Sequence, residues 1–215
     1  MTTRDDLQIA GRTLRLPPTE RGRARWRRIV DVAARLFEER GYANVTISDI
    51  VAESGGSLTT VYKWFGNKEE LFMAVWGVLI TEVCERISWL KHDGKTLDED
   101  IENAIGLISS NVPFRFARVA LLESGMFTRF SSEILATVEE KTNVPIANTF
   151  RRLREKYGAE FKLSDREMAL VYVRYFRGLF LEVVFGPDDA TERVESGKRI
   201  LKEILLSLVM TCERG

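Results

Sequence analysis

The sequence predicts an all-α fold, and three observations carry that prediction. Apolar residues recur at helical spacing along almost the whole chain. Ser, Thr, Asn or Asp precedes most of those runs and Gly or Pro follows them. No convincing pair of strands is found.

The elements follow in order. Apolar residues at Trp26, Val30, Ala33 and Phe37 mark one face of a first helix, which Arg40-Gly41 stops. Thr46-Ile-Ser-Asp49 is a capping box and opens a short helix through Glu53. Ser54-Gly55-Gly56 is a turn, and Ser57 caps a third helix ending near Phe65-Gly66. Asn67 caps a fourth, running into Leu71, Phe72 and Val75. Further helices are expected from about Trp76 to Leu90, Asp98 to Asn111, Phe114 to about Phe130, Ser132 to Tyr157, Ser164 to Phe185 and Asp188 to Cys212. Pro145 cannot donate to the carbonyl at 141, so a kink or break is expected there.

The 215 residues carry 45% hydrophobic and 30% charged side chains, the balance of a soluble globular chain. Lys+Arg and Asp+Glu are 32 each, which excludes a uniformly basic coat. The neutrality hides a local excess. Arg12, Arg15, Arg21, Arg23, Arg25, Arg27 and Arg28 face only Glu20 within 17 residues, a candidate phosphate-binding block. Two cysteines make no disulfide framework. A single histidine, His92, excludes His-rich metal sites and is expected on the surface of a charged loop. No nucleotide-binding glycine loop or nucleophile–base pattern is present, so no enzyme activity, cofactor or metal is expected. The first residues lack an apolar core and no run is long enough to span a membrane, so a cytoplasmic location is expected.

The second and third helices, joined by a tight glycine-bearing turn, have helix-turn-helix spacing. The stretches Arg28 to Tyr42, Thr46 to Ile50, Thr60 to Phe65 and Asn67 to Phe72 closely resemble the N-terminal domain of TetR-family transcriptional regulators. The resemblance covers about residues 24–75. It departs from the family pattern at Gly56, where Val is usual, and at Leu58-Thr59, where Lys-Gly is common.

The organisation expected is a flexible basic arm over 1–22, a helix-turn-helix DNA-binding domain over 23–70, and a larger helical ligand-binding and dimerisation domain over 71–215. A recognition helix must present side chains to base edges between phosphate donors. Ser57, Leu58, Thr59, Thr60 and Lys63 lie early on the third helix, with Tyr62 and Trp64 suited to the groove edge. Thr46 and Lys68, at helix N-termini, and Arg23 and Arg25 in the basic block are the expected phosphate contacts.

From Met168 to Phe185, 14 of 18 residues are apolar, so this helix is expected to be buried on more than one side. Leu179 and Val183 on it, with Val194, Gly197, Leu201, Ile204 and Leu208 on the last helix, form a candidate dimer seam. Aromatic density in the middle helices suits an apolar pocket, with Trp89, Phe114, Phe127, Phe130, Tyr172 and Phe176 as lining and Asn111 and Glu123 as polar anchors. The resemblance implies a homodimeric repressor that binds a pseudo-palindromic operator in double-stranded DNA and is released by a small apolar or aromatic ligand. A ligand-independent regulator, or an α-helical protein-interaction module, is the alternative.

Overall fold

The computed structural model describes residues 7–9, 12–14, 16–88, 92–111, 116, 118–119, 126–185 and 191–211. Residues 7–9, 12–14, 88, 107–111, 126–138, 140, 183–184, 191 and 211 are described by backbone alone.

Helix α1 (Glu20–Arg40) begins where the Thr19 hydroxyl accepts the Gly22 N–H at 3.1 Å. It buries Trp26, Ile29, Val30, Ala33, Leu36 and Phe37 along one stripe. Helices α2 (Ile47–Ser54) and α3 (Leu58–Phe65) add Ile47, Ile50, Val61 and Phe65 to this core. The Trp26 ring stacks on Phe65 with centroids 5.5 Å apart.

Helix α4 (Lys68–Ser88) is one continuous element, although two are expected from the sequence. Nothing between Val75 and Trp76 interrupts it, and residues 71–78 are all buried.

The chain divides into two compact units, Met1–Ile80 with Arg115–Thr137, and Thr81–Phe114 with Val138–Gly215. The first extends beyond residue 70 because its core is aromatic and shared. Phe72 meets Phe37 at 5.0 Å, Tyr42 at 5.1 Å and Phe116 at 4.6 Å, and Trp76 stacks on Phe116 at 6.2 Å. Phe116 is completely buried.

Two strand pairs correct the strand-free expectation. Within the segment read as a flexible arm, β1 (Leu7–Ile9) pairs antiparallel with β2 (Arg12–Leu14), a hairpin with two residues between the strands. Strand β3 (Glu160–Phe161) pairs with β4 (Val209–Thr211). The last helix therefore stops earlier than expected.

In the second unit, α5 (Leu97–Asn111), the part of α6 (Met126–Tyr157) from Val138 onward, α7 (Asp165–Phe185) and α8 (Thr191–Ser207) enclose a core that includes Ile87, Ile101, Leu153, Met168, Leu201 and Leu205. Helix α6 runs through Pro145 without a break. The proline removes one backbone donor, but Ile146, Phe150 and Leu153 are buried just beyond it and hold the helix to its course. Helices α7 and α8 pack closely at Gly197, where a Cβ would collide with Leu179.

His92 is not a simple surface residue. Both ring nitrogens are buried and lack a hydrogen-bond partner among the described residues. Lys156 draws this loop inward, donating to the His92 carbonyl at 2.8 Å and to the Gly94 carbonyl at 2.7 Å. Burial, reinforced by Arg152, holds the imidazole below its ordinary pKa.

Candidate nucleic-acid interface

The site is built on two short helices whose ends are fixed by side chains. At α2, Thr46 Oγ1 accepts the Asp49 N–H at 3.1 Å, and Asp49 accepts the Thr46 N–H at 2.8 Å and its hydroxyl at 2.6 Å. The Thr46 hydroxyl and backbone bonds hold the Asp49 carboxyl below its usual range. Glu53 at the other end of α2 pairs with Arg40 at 3.1 Å and with Arg35, tying α2 to α1.

The turn between the helices needs glycine. Gly55 and Gly56 have φ of 77° and 109°, a region that other residues rarely adopt. Ser57 then caps α3, accepting the Thr60 N–H at 3.3 Å, while the two hydroxyls lie 3.0 Å apart.

On α3, Val61 and Phe65 face inward. The outward face carries Leu58, Thr59, Tyr62 and Lys63, with Leu58 43% and Tyr62 51% exposed. This spacing gathers four of the expected contacts on one side of a short helix. Ser57 and Thr60 belong to the cap, Thr60 is half-buried, and so is Trp64. Lys68 is half-buried with its ammonium 4.2 Å from the Tyr42 ring centroid. Burial lowers the Lys68 pKa and Asp49 opposes that shift. Arg23 and Arg25 are exposed on the first turns of α1.

Glu53 and Tyr42 are additions that the sequence does not signal. Both act across space, on Arg35 and Arg40 and on Lys68, and neither spacing nor capping points to such a contact.

The remaining expected residues are scattered. Of the pocket set, Tyr172 lines a cavity of about 10 Å³ with Ile101, Ala104, Ile146, Thr149, Phe150, Leu153 and Leu205. Its hydroxyl is buried without a hydrogen-bond partner among the described residues, and burial raises its pKa. Phe176 stacks on Tyr172 at 6.0 Å. Trp89, Phe114 and Glu123, and the side chains of Asn111, Phe127 and Phe130, lie outside the described residues.

Of the seam set, Leu201 is fully buried and Leu179 packs on Gly197, so both face the interior of their own chain. At Gly197 and Leu201 the heptad-like spacing of α8 marks its inner face. Val194, Ile204 and Leu208 are half-buried, and the Val183 side chain lies outside the described residues. Leu181, Phe185 and Ile200 are exposed apolar residues of α7 and α8. No helix among the described residues is long and apolar enough to cross a membrane.

Comparison with known proteins agrees with this geometry. Residues 29–75 match the bacterial regulatory proteins of the TetR family. The HTH-type transcriptional regulator AcrR of Shigella flexneri is 23% identical over 192 residues, covering 86% of this chain and 88% of AcrR. The fold resembles a TetR-family transcriptional regulator from Pectobacterium atrosepticum, with TM-score 0.64, 18% identity and coverage of 87% of this chain and 95% of the other. It also resembles the fatty acid degradation regulator FadR from Bacillus halodurans, with TM-score 0.63, 16% identity and coverage of 85% and 94%. The capped helix pair, its outward polar face and the family match together identify residues 29–75 as a helix-turn-helix domain of the TetR type.

Proposed function

We propose that the chain is a homodimeric repressor whose α3 enters the major groove of a pseudo-palindromic operator. The observation that carries this reading is the outward face of Leu58, Thr59, Tyr62 and Lys63, held by the capped turn. Thr59 and Lys63 read base edges, Leu58 meets a thymine methyl, and Tyr62 donates to a phosphate. Thr46, Ser57, Thr60, Trp64, Lys68, Arg23 and Arg25 complete the backbone contacts. The DNA-binding domain occupies residues 23–70, preceded by a basic arm, and the remainder serves ligand binding and dimerisation. Exposure of Leu181, Phe185 and Ile200 supports a dimer face on α7 and α8, since a second copy would bury them. Footprinting with the full chain tests the reading: the expected result is protection of two half-sites about one helical turn apart, with affinity falling steeply as salt rises. Equal protection of all sequences overturns it.

The same reading includes release by a small apolar or aromatic ligand. Tyr172 supports it, because this cavity-lining residue has a buried hydroxyl without a partner among the described residues, which could offer a ligand one hydrogen bond. The size of that cavity, room for one water, favours the second reading, a ligand-independent regulator. A thermal-shift screen against hydrophobic compounds separates them. A hit that also weakens operator binding supports the switch, and a screen without one favours the ligand-independent regulator.

A further inference from the structure

Gly56 occupies a position where this chain departs from the family pattern, and the space left by its missing side chain is filled. A Cβ built there would fall on the Arg25 guanidinium, 3.0 Å from Cζ and 3.1 Å from Nε. Arg25 on α1 thus lies across the backbone of the turn that leads into α3.

The charges on α1 sort into two kinds. Arg27 pairs with Asp31 at 2.9 Å, Arg35 with Glu39 at 3.1 Å and with Glu53, and Arg40 with Glu53 at 3.1 Å. Arg21, Arg25 and Arg28 stand at i, i+4 and i+7 on one face, are exposed, and make no ion pair among the described residues. Acid partners hold the first group, whereas the second is left as a stripe of positive charge. Arg25 is the member of that stripe seated beside the recognition helix. A guanidinium already resting against a backbone loses less freedom on taking a phosphate than one free in solvent.

We propose that Arg25, seated across the side-chain-free face of Gly56, is a phosphate-binding residue that sets the register of α3 on DNA, and that Gly56 is the structural condition for that seat. The inference rests on the DNA-binding reading above.

The test is a double-mutant cycle with Arg25→Gln, Gly56→Ala and the double variant. The probe is a duplex recovered from a random library by the full-length parent protein. Loss of one phosphate contact should weaken binding about fivefold at physiological salt and reduce the salt slope by about one unit. Gly56→Ala should cause a similar loss by pushing the guanidinium aside, and should add little once Arg25 is absent. Backbone strain from an alanine at φ 109° is present in both backgrounds and cancels in the cycle. Arg25→Lys should keep the slope but bind more weakly than the parent. The proposal is overturned if Arg25→Gln binds as the parent does, or if the two losses simply add. Should Gly56→Ala fail to fold, Arg25→Gln alone still decides whether the contact exists. A parent protein that recovers no duplex refutes the DNA-binding reading itself, which is a different outcome from parent binding with indifferent variants.

Discussion

Lys156 donates to the Asp100 carboxylate at 2.7 Å, where that carboxylate is completely removed from solvent. Tyr157 donates to the same oxygen at 2.7 Å, and the Gly94 N–H reaches the other at 2.8 Å. Burial opposes the charge, yet these donors outweigh it and keep the carboxyl below its ordinary pKa. Asp100→Ala strands three donors and should cost about 3 kcal/mol of stability, read from urea unfolding. An unchanged midpoint would show that the network contributes nothing.

His92 and Asp100 should give acid sensitivity in separate windows. The imidazole is harder to protonate when folded, so the unfolded chain binds its proton first and stability falls as pH drops below 6.5. The Asp100 contribution is present above its ordinary pKa of 3.8 and is lost as pH falls through the lower folded value. Unfolding midpoints measured from pH 7 to 5 should decline for the parent and flatten for His92→Phe.

Tyr62 is 51% exposed on the outer face of α3. Tyr62→Phe removes a single hydroxyl and should leave the melting temperature unchanged. Operator affinity should fall about fivefold, the worth of roughly 1 kcal/mol for one hydrogen bond. Equal affinity in a titration would take Tyr62 out of the interface.

Leu181 and Leu201 should separate assembly from folding. Leu181 is 37% exposed, so Leu181→Glu should yield a folded monomer by sedimentation. Leu201 is fully buried within its own subunit, so Leu201→Ala should cost about 2–5 kcal/mol of stability. A Leu181→Glu protein that remains dimeric places the interface elsewhere.

Tyr172 carries a buried hydroxyl with no partner among the described residues. Removing it avoids a desolvation penalty, so Tyr172→Phe should be neutral or stabilising in thermal melts. Clear destabilisation would mean that the hydroxyl is satisfied in solution, with a water in the adjoining cavity as its partner.

The helix-turn-helix region is legible in the sequence because its information is local. Thr46, Asp49, Ser57 and the two glycines of the turn each act within four residues, and each does so in the structure. The expected dimer seam is legible only as an apolar face, for an instructive reason. Spacing on α8 locates an apolar face but does not say whether that face meets its own chain or another, and Gly197 and Leu201 meet their own. Strands of two or three residues offer too little alternation to register, so neither strand pair is visible in the sequence. His92 looks like a surface residue in sequence because the bond that ties its backbone inward comes from Lys156, 64 positions away.

The aromatic core of the first unit bears on how interchangeable the DNA-reading head is. Phe116 arrives from far along the chain and fills a place among Phe37, Phe72 and Trp76 with no exposure at all. A fragment ending at residue 80 would leave that place empty, a defect of the size that costs about 3–5 kcal/mol in other proteins. Chimeras that exchange only residues 1–80 between regulators should therefore be unstable, whereas those carrying the residue-116 segment with the head should fold. What looks in sequence like a detachable module is, in its packing, a unit assembled from two distant stretches of one chain.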